Sequence, residues 1–225
     1  MIRAFTLALL LAGCGGGQPD HAAGHPGGHG HGHAGHQHDF SDVERFAAMF
    51  DDPERDAWQR PADVVALLEL EPGMTVADVG AGTGYFLPHL SPAVGPEGRV
   101  LALDVEPAMV EHMRRRAAEA EMSNVEARVV AADDPGLSGV DRVLIVDTWH
   151  HIEDRTAYAH RVMRGLSEGG LVLVVDFTED SPHGPPEAMR VAPHAVQTEL
   201  RAAGFDAEIV PSELPYQYVV RARRP

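Results

Sequence analysis

The chain has 225 residues and a formal charge of −16, with 34 acidic side chains against 18 basic ones, all of them Arg. Such an acidic surface repels phosphate backbones and offers anionic lipid no polybasic patch, which argues against nucleic-acid binding and electrostatic membrane attachment. Its single cysteine, Cys14, leaves no intrachain disulfide and no Cys-based zinc cluster.

Residues 1–13 carry one Arg, then an apolar run from Phe5 to Ala12, then small residues. The run is shorter than the roughly 18–20 apolar residues of a membrane span, and the layout is that of an export signal. Leu11-Ala12-Gly13-Cys14 resembles the lipobox of bacterial lipoproteins, which implies lipidation of Cys14 and a membrane-anchored protein on the periplasmic or cell-envelope side. Residues 14–39 are rich in Gly, His and Ala and lack the apolar content to fold, so a disordered tether is expected. His21, His25, His29, His31, His33, His36 and His38 lie in it, and neutral imidazoles on a mobile chain can gather around Zn²⁺, Ni²⁺ or Cu²⁺. The other reading of this tract is a solvated spacer.

Residues 40–225 have the composition of one folded domain. Ser41 is placed to cap a helix through Val43, Phe46 and Phe50, and a second helix is expected over Ala62–Leu70. Strands are expected at Thr75–Gly80, Arg99–Val105, Val125–Val130, Asp141–Asp147 and Leu171–Phe177. Helices are expected at Pro107–Ala120, Thr156–Leu166 and His194–Ala203. Asp206–Val210 and Tyr216–Arg221 read as a terminal strand pair. The runs Val143–Val146 and Leu171–Val175 are apolar throughout, as in strands buried on both faces. The alternation predicts an α/β fold, doubly wound, with a mainly parallel seven-stranded sheet and helices on both faces.

In such a sheet ligands bind beyond the carboxyl ends of the strands. The first strand ends in Asp78-Val79-Gly80-Ala81-Gly82-Thr83-Gly84-Tyr85, whose alternate glycines allow a tight turn and close approach of a ligand. A dinucleotide fingerprint would have its third glycine where Tyr85 stands. Asp104 closes the second strand, Asp133-Asp134-Pro135-Gly136 follows the third, Asp147-Thr148-Trp149-His150-His151 follows the fourth, and Ser167-Glu168-Gly169-Gly170 precedes the fifth. This ordered set resembles class I S-adenosylmethionine-dependent methyltransferases over about residues 50–221.

The resemblance implies S-adenosyl-L-methionine as cofactor. Gly80, Gly82, Gly84 and Tyr85 would flank its methionine part and ribose, Asp78 would take its amino group, and Asp104 the ribose hydroxyls. Asp133 or Asp134 would lie near the adenine amine. Asp147, with Thr148 and Trp149, would line the space toward the acceptor. Helices before the core, in the segment 50–61, serve as a lid in related enzymes; Arg55 and Trp58 would close the site, or Trp58 would anchor the core. His150 and His151 are the candidate bases, needed only for an acceptor that must lose a proton.

No Asn- or Asp-Pro-Pro-aromatic sequence follows the fourth strand, which argues against methylation of amino groups on bases or glutamine. No thiol remains for attack on a pyrimidine ring or for holding a metalloid. A small-molecule acceptor is therefore expected. Two other readings stand beside this one: an NAD(P)-dependent oxidoreductase, and a non-catalytic metal-binding lipoprotein that retains the fold.

Overall fold

The computed structural model describes residues 43–225. The expectations placed on Cys14, on the histidines from His21 to His38 and on the Ser41 cap lie outside the described residues. Three short helices open the structure: α1 (Val43–Phe50), α2 (Arg55–Gln59) and α3 (Pro61–Ala66). Then follow β1 (Thr75–Val79), α4 (Leu87–Val94), β2 (Arg99–Asp104), α5 (Pro107–Glu119), β3 (Val125–Val129), β4 (Val140–Val146), α6 (Arg155–Gly165) and β5 (Leu166–Phe177). The chain continues with α7 (Pro193–Ala202), β6 (Asp206–Val210) and β7 (Gln217–Arg223).

The seven strands form one sheet in the order β3-β2-β1-β4-β5-β7-β6. Pairs from β3 to β5 are parallel, and β7 is antiparallel to both β5 and β6. The order reverses between β1 and β4, so the carboxyl ends of these two strands and of β2 and β5 define the switch point. The doubly wound α/β expectation holds.

Side-chain alternation sorts the core into two faces. Val172 and Val174 point with Ala77, Val79 and Ile145 toward α6 and α7, where Trp149, Tyr158 and Leu200 are buried. Leu171, Leu173 and Val175 point with Val76, Ala102 and Leu144 toward α3, α4 and α5, against Leu68, Leu90 and Met113. Burial on both faces explains why Val143–Val146 of β4 and Leu171–Val175 of β5 are apolar without interruption. Local polar groups fix the helix starts: Glu106 accepts from the amide of Ala108 at 3.3 Å, and Asp154 from that of Ala157 at 3.0 Å.

One helix was not expected from the sequence, and one crossover lacks a helix. Helix α4 forms although Pro88 and Pro92 lie within it. Pro88 sits in the first turn, where its missing donor costs nothing, and burial of Leu87, Leu90 and Val94 outweighs the donor lost at Pro92. The connection from β3 to β4, residues 130–139, contains no helix. On the side where such a helix would pack, β3 presents Glu126 and Arg128, paired with each other at 2.6 Å, and Glu126 also meets Arg99 at 2.9 Å. A charged face gives an apolar helix stripe nothing to bury against. Among the described residues no helix is long and apolar enough to cross a membrane.

Candidate active site

The turn after β1 is built on left-handed backbone at Gly80, Gly82 and Gly84, with φ of 72°, 56° and 80°. The amides of Gly80 and Ala81 both donate to the carbonyl of Leu103, at 2.8 and 3.0 Å, which ties the turn to the end of β2. A Cβ on Gly80 would stand 2.3 Å from Oγ1 of Thr148, beyond β4, so only glycine lets the two strand ends close.

Three carboxylates gather beneath this turn. Asp78, on β1, is 2% exposed, and its Oδ2 has no hydrogen-bond partner. Burial pushes its carboxyl up to about 7; the nearby charge of Asp104 adds to the effect and Arg55 opposes it. Asp104 accepts from the amides of Gly82 and Glu106 at 2.8 and 2.9 Å. Burial raises its carboxyl as well, against the pull of those backbone donors. Asp147 is held at φ 53°, a conformation few side chains adopt. Burial takes its carboxyl up to about 7, with Arg55 as the main opposing influence. It accepts from Nε2 of Gln217 at 2.6 Å and from Arg55 at 3.3 Å.

The N-terminal helices are latched onto this floor. Arg55 reaches Asp147, donates to the carbonyl of Phe50 at 3.0 Å and to Oε1 of Gln59, and stacks 4.1 Å from the ring centre of Tyr85. Asp51 accepts from Oγ1 of Thr83 at 3.0 Å and from Arg116 at 2.8 Å, and Asp56 accepts from the Tyr85 hydroxyl. Gln59, fully buried, donates to Gln217 at 2.8 Å. Trp58 is half-buried and stacks on His183 at 4.7 Å, so it borders the site instead of anchoring the core.

Beyond β4, the His150 side chain is 3% exposed and its Nδ1 lies 2.9 Å from Oδ1 of Asp176. Asp176 also accepts from the amides of His150 and Phe177. With three donors converging on it, the carboxylate holds the His150 proton on Nδ1 and leaves Nε2 as the basic nitrogen. His151 is exposed, its ring centre 4.2 Å from that of His150. Asp133 and Asp134 are exposed on the connection before β4 and face Arg161, at 3.2 and 3.9 Å. The structure thus brings Asp78, the glycine turn, Tyr85, Asp104, Asp147 and His150 to one edge. It adds Asp176, Gln59 and Gln217, which sequence reading did not single out. Only Asp176 left a trace, as a lone carboxylate closing an apolar strand.

Residues 76–170 match the model of a family described as a methyltransferase domain. The crystal structure of a SAM-dependent methyltransferase from Aquifex aeolicus aligns with a TM-score of 0.76 at 27% identity, over 84% of this chain and 100% of that one. An arsenite methyltransferase of Halobacterium salinarum is 25% identical over 173 residues, which is 68% of this chain and 43% of that protein. An aklanonic acid methyltransferase of Streptomyces is 28% identical over 142 residues, 61% of this chain and 64% of that protein. The chain spans less than two thirds of the length of these curated relatives. The stretch that matches the family model contains the glycine turn and the ends of β1, β2 and β4, so the likeness to methyltransferases falls on the site just described.

Proposed function

We propose that this chain is a methyltransferase that uses S-adenosylmethionine to modify a small-molecule acceptor. The observation that carries the reading is the buried, unpartnered Oδ2 of Asp78 beneath the glycine turn. A buried carboxylate oxygen without a donor is costly, and the ammonium group of a methionine-derived cofactor would supply that donor. Each Asp104 oxygen accepts one backbone amide and has a second lone pair left, which a ribose hydroxyl at the end of β2 would use. The methyl group would leave a sulfonium that is already activated, so alignment of acceptor and cofactor supplies much of the rate. His150, oriented by Asp176, would take a proton from an acceptor that has one to lose.

Tyr85 weighs against the nicotinamide reading. Its ring stands edge-on to Phe86 and beneath the Arg55 guanidinium, in the position where a dinucleotide turn needs glycine. The relatives are named for arsenite and for aklanonic acid, and each name points to a small molecule. Arsenite itself is a poor candidate here, because a soft metalloid calls for thiolates and Cys14 is the only cysteine. Calorimetry of the full chain with S-adenosylhomocysteine, S-adenosylmethionine and NAD tests the reading. Binding of the first two without NAD is expected, and binding of NAD alone would overturn it.

The lipobox-like Leu11–Cys14 and the histidines of residues 14–39 support two further proposals: membrane anchoring through acylated Cys14, and divalent-metal binding by the tether. Metabolic acyl labelling of wild type and Cys14→Ser tests the first. Zn²⁺ titration with and without residues 20–39 tests the second.

A further inference from the structure

Aromatic residues make up only 6% of the chain, yet rings from four separate segments meet beyond the ends of β4 and β5. Trp58 comes from α2, Phe177 closes β5, His183 lies in the loop that follows, and Tyr216 precedes β7. Trp58 and His183 are stacked nearly parallel, at 4.7 Å and 12°. Phe177 lies 6.2 Å from Trp58, Tyr216 lies 5.1 Å from His183, and His150 lies 6.4 Å from Phe177. Rings that only fill a core are buried, whereas here Trp58 and Tyr216 are half-buried and His183 is exposed.

The loop that carries His183 is built, not loose. Arg190 donates to the carbonyls of Thr178, Glu179, His183 and Pro185, at 2.7 to 3.1 Å, so one guanidinium gathers four backbone acceptors. Gly184, at φ 87°, lets the backbone press on Phe177: a Cβ there would stand 2.4 Å from the ring. The cluster also adjoins the cofactor end of the site, since the Arg55 guanidinium that stacks on Tyr85 lies 5.7 Å from Trp58.

We propose that this ring cluster is the acceptor subsite and that it takes a planar aromatic compound with an ionisable hydroxyl group. The inference rests on the methyltransferase reading above and deepens it. Trp58 and His183 already stack on each other with no gap for a third ring, so a flat acceptor extends that stack on its outer face, which a saturated ring of the same outline cannot do. The hydroxyl then faces His150. Its O–H bond breaks as Nε2 takes the proton, the new O–CH₃ bond forms as the S–CH₃ bond breaks, and the cofactor leaves as the neutral thioether. Arg190 is a positioning residue, because it acts only through the loop that sets His183.

The test measures methyl transfer from labelled S-adenosylmethionine to 2-naphthol and to decahydro-2-naphthol, with S-adenosylhomocysteine affinity measured in parallel on the full chain. Transfer to 2-naphthol at least tenfold faster than to the saturated alcohol is expected. Trp58→Leu and Arg190→Gln should each raise the KM for 2-naphthol at least tenfold, with S-adenosylhomocysteine affinity within twofold of wild type; His183→Phe, which restores a ring, should recover activity lost in His183→Ala. Equal rates on the two alcohols, or no transfer to 2-naphthol while S-adenosylhomocysteine binds, would overturn the acceptor proposal alone. Failure to bind S-adenosylhomocysteine would remove the parent reading and this one with it.

Discussion

The two margins of the sheet are stabilised in opposite ways. At the β6–β7 margin the arginines of β7 have solvated partners: Arg221 meets Glu208 at 2.6 Å, and Arg223 meets Glu69 at 2.7 Å. At the carboxyl ends of β1, β2 and β4, carboxylates are packed under a glycine turn, one of them with an unpartnered oxygen and another on left-handed backbone. The first region loses little if any one contact goes. The second holds electrostatic and steric strain that nothing in the fold itself requires, and such strain collects where a ligand is to bind.

The largest expected effect concerns Asp78. Its carboxyl sits near 7 in the folded domain against 3.8 as the reference value, so the folded state holds its proton more tightly than the unfolded state does. Stability from this group therefore falls as pH rises from about 4 to about 7, by up to roughly 4 kcal/mol. Denaturant titrations across that range should show a shallower decline for Asp78→Asn; parallel curves would mean that the carboxyl is not strained.

Next comes a pair of glycines with the same backbone hand. Gly80→Ala meets Thr148 at 2.3 Å and should cost about 3 kcal/mol, whereas Gly139→Ala, at φ 61° with nothing within 4 Å, should cost about 1 kcal/mol. Equal melting-temperature losses would show that backbone hand alone, and not the approach of β4, makes Gly80 necessary.

A smaller effect belongs to Asp104. Asp104→Ala removes an acceptor for ribose hydroxyls and should weaken S-adenosylhomocysteine binding by about 1.5–3 kcal/mol, read by calorimetry on a variant with unchanged circular dichroism. An unaltered dissociation constant would take Asp104 out of the site. At the other margin, Glu208→Ala breaks an exposed pair and should change stability by only about 0.2–1 kcal/mol, less still in high salt.

Much of the fold could be read in the chain because local chemistry determined it. The unbroken apolar runs of β4 and β5 announced a sheet buried on both faces, and Asp104 was visible as the carboxylate that ends an apolar strand. Helix α4 was missed because its prolines argue against a helix locally, and only burial of Leu90 and Val94 overrides them. Asp176 pairs with His150 because β5 lies beside β4 in the sheet, a relation that spacing does not carry. Gln59 and Gln217 are 158 residues apart, and neither is unusual in its own segment.

The position of β1 also bears on how the chain is made. Its neighbour β4 closes only at Val146, and the amide that opens β1, that of Thr75, is held at 2.9 Å by Asp141, 66 residues later. During synthesis the central strand therefore emerges long before the partner that completes it. Until then one apolar edge of the β2–β1 pair stands open to any extended segment within reach. A nascent chain that stalls between α5 and β4 should be the species most in need of a chaperone.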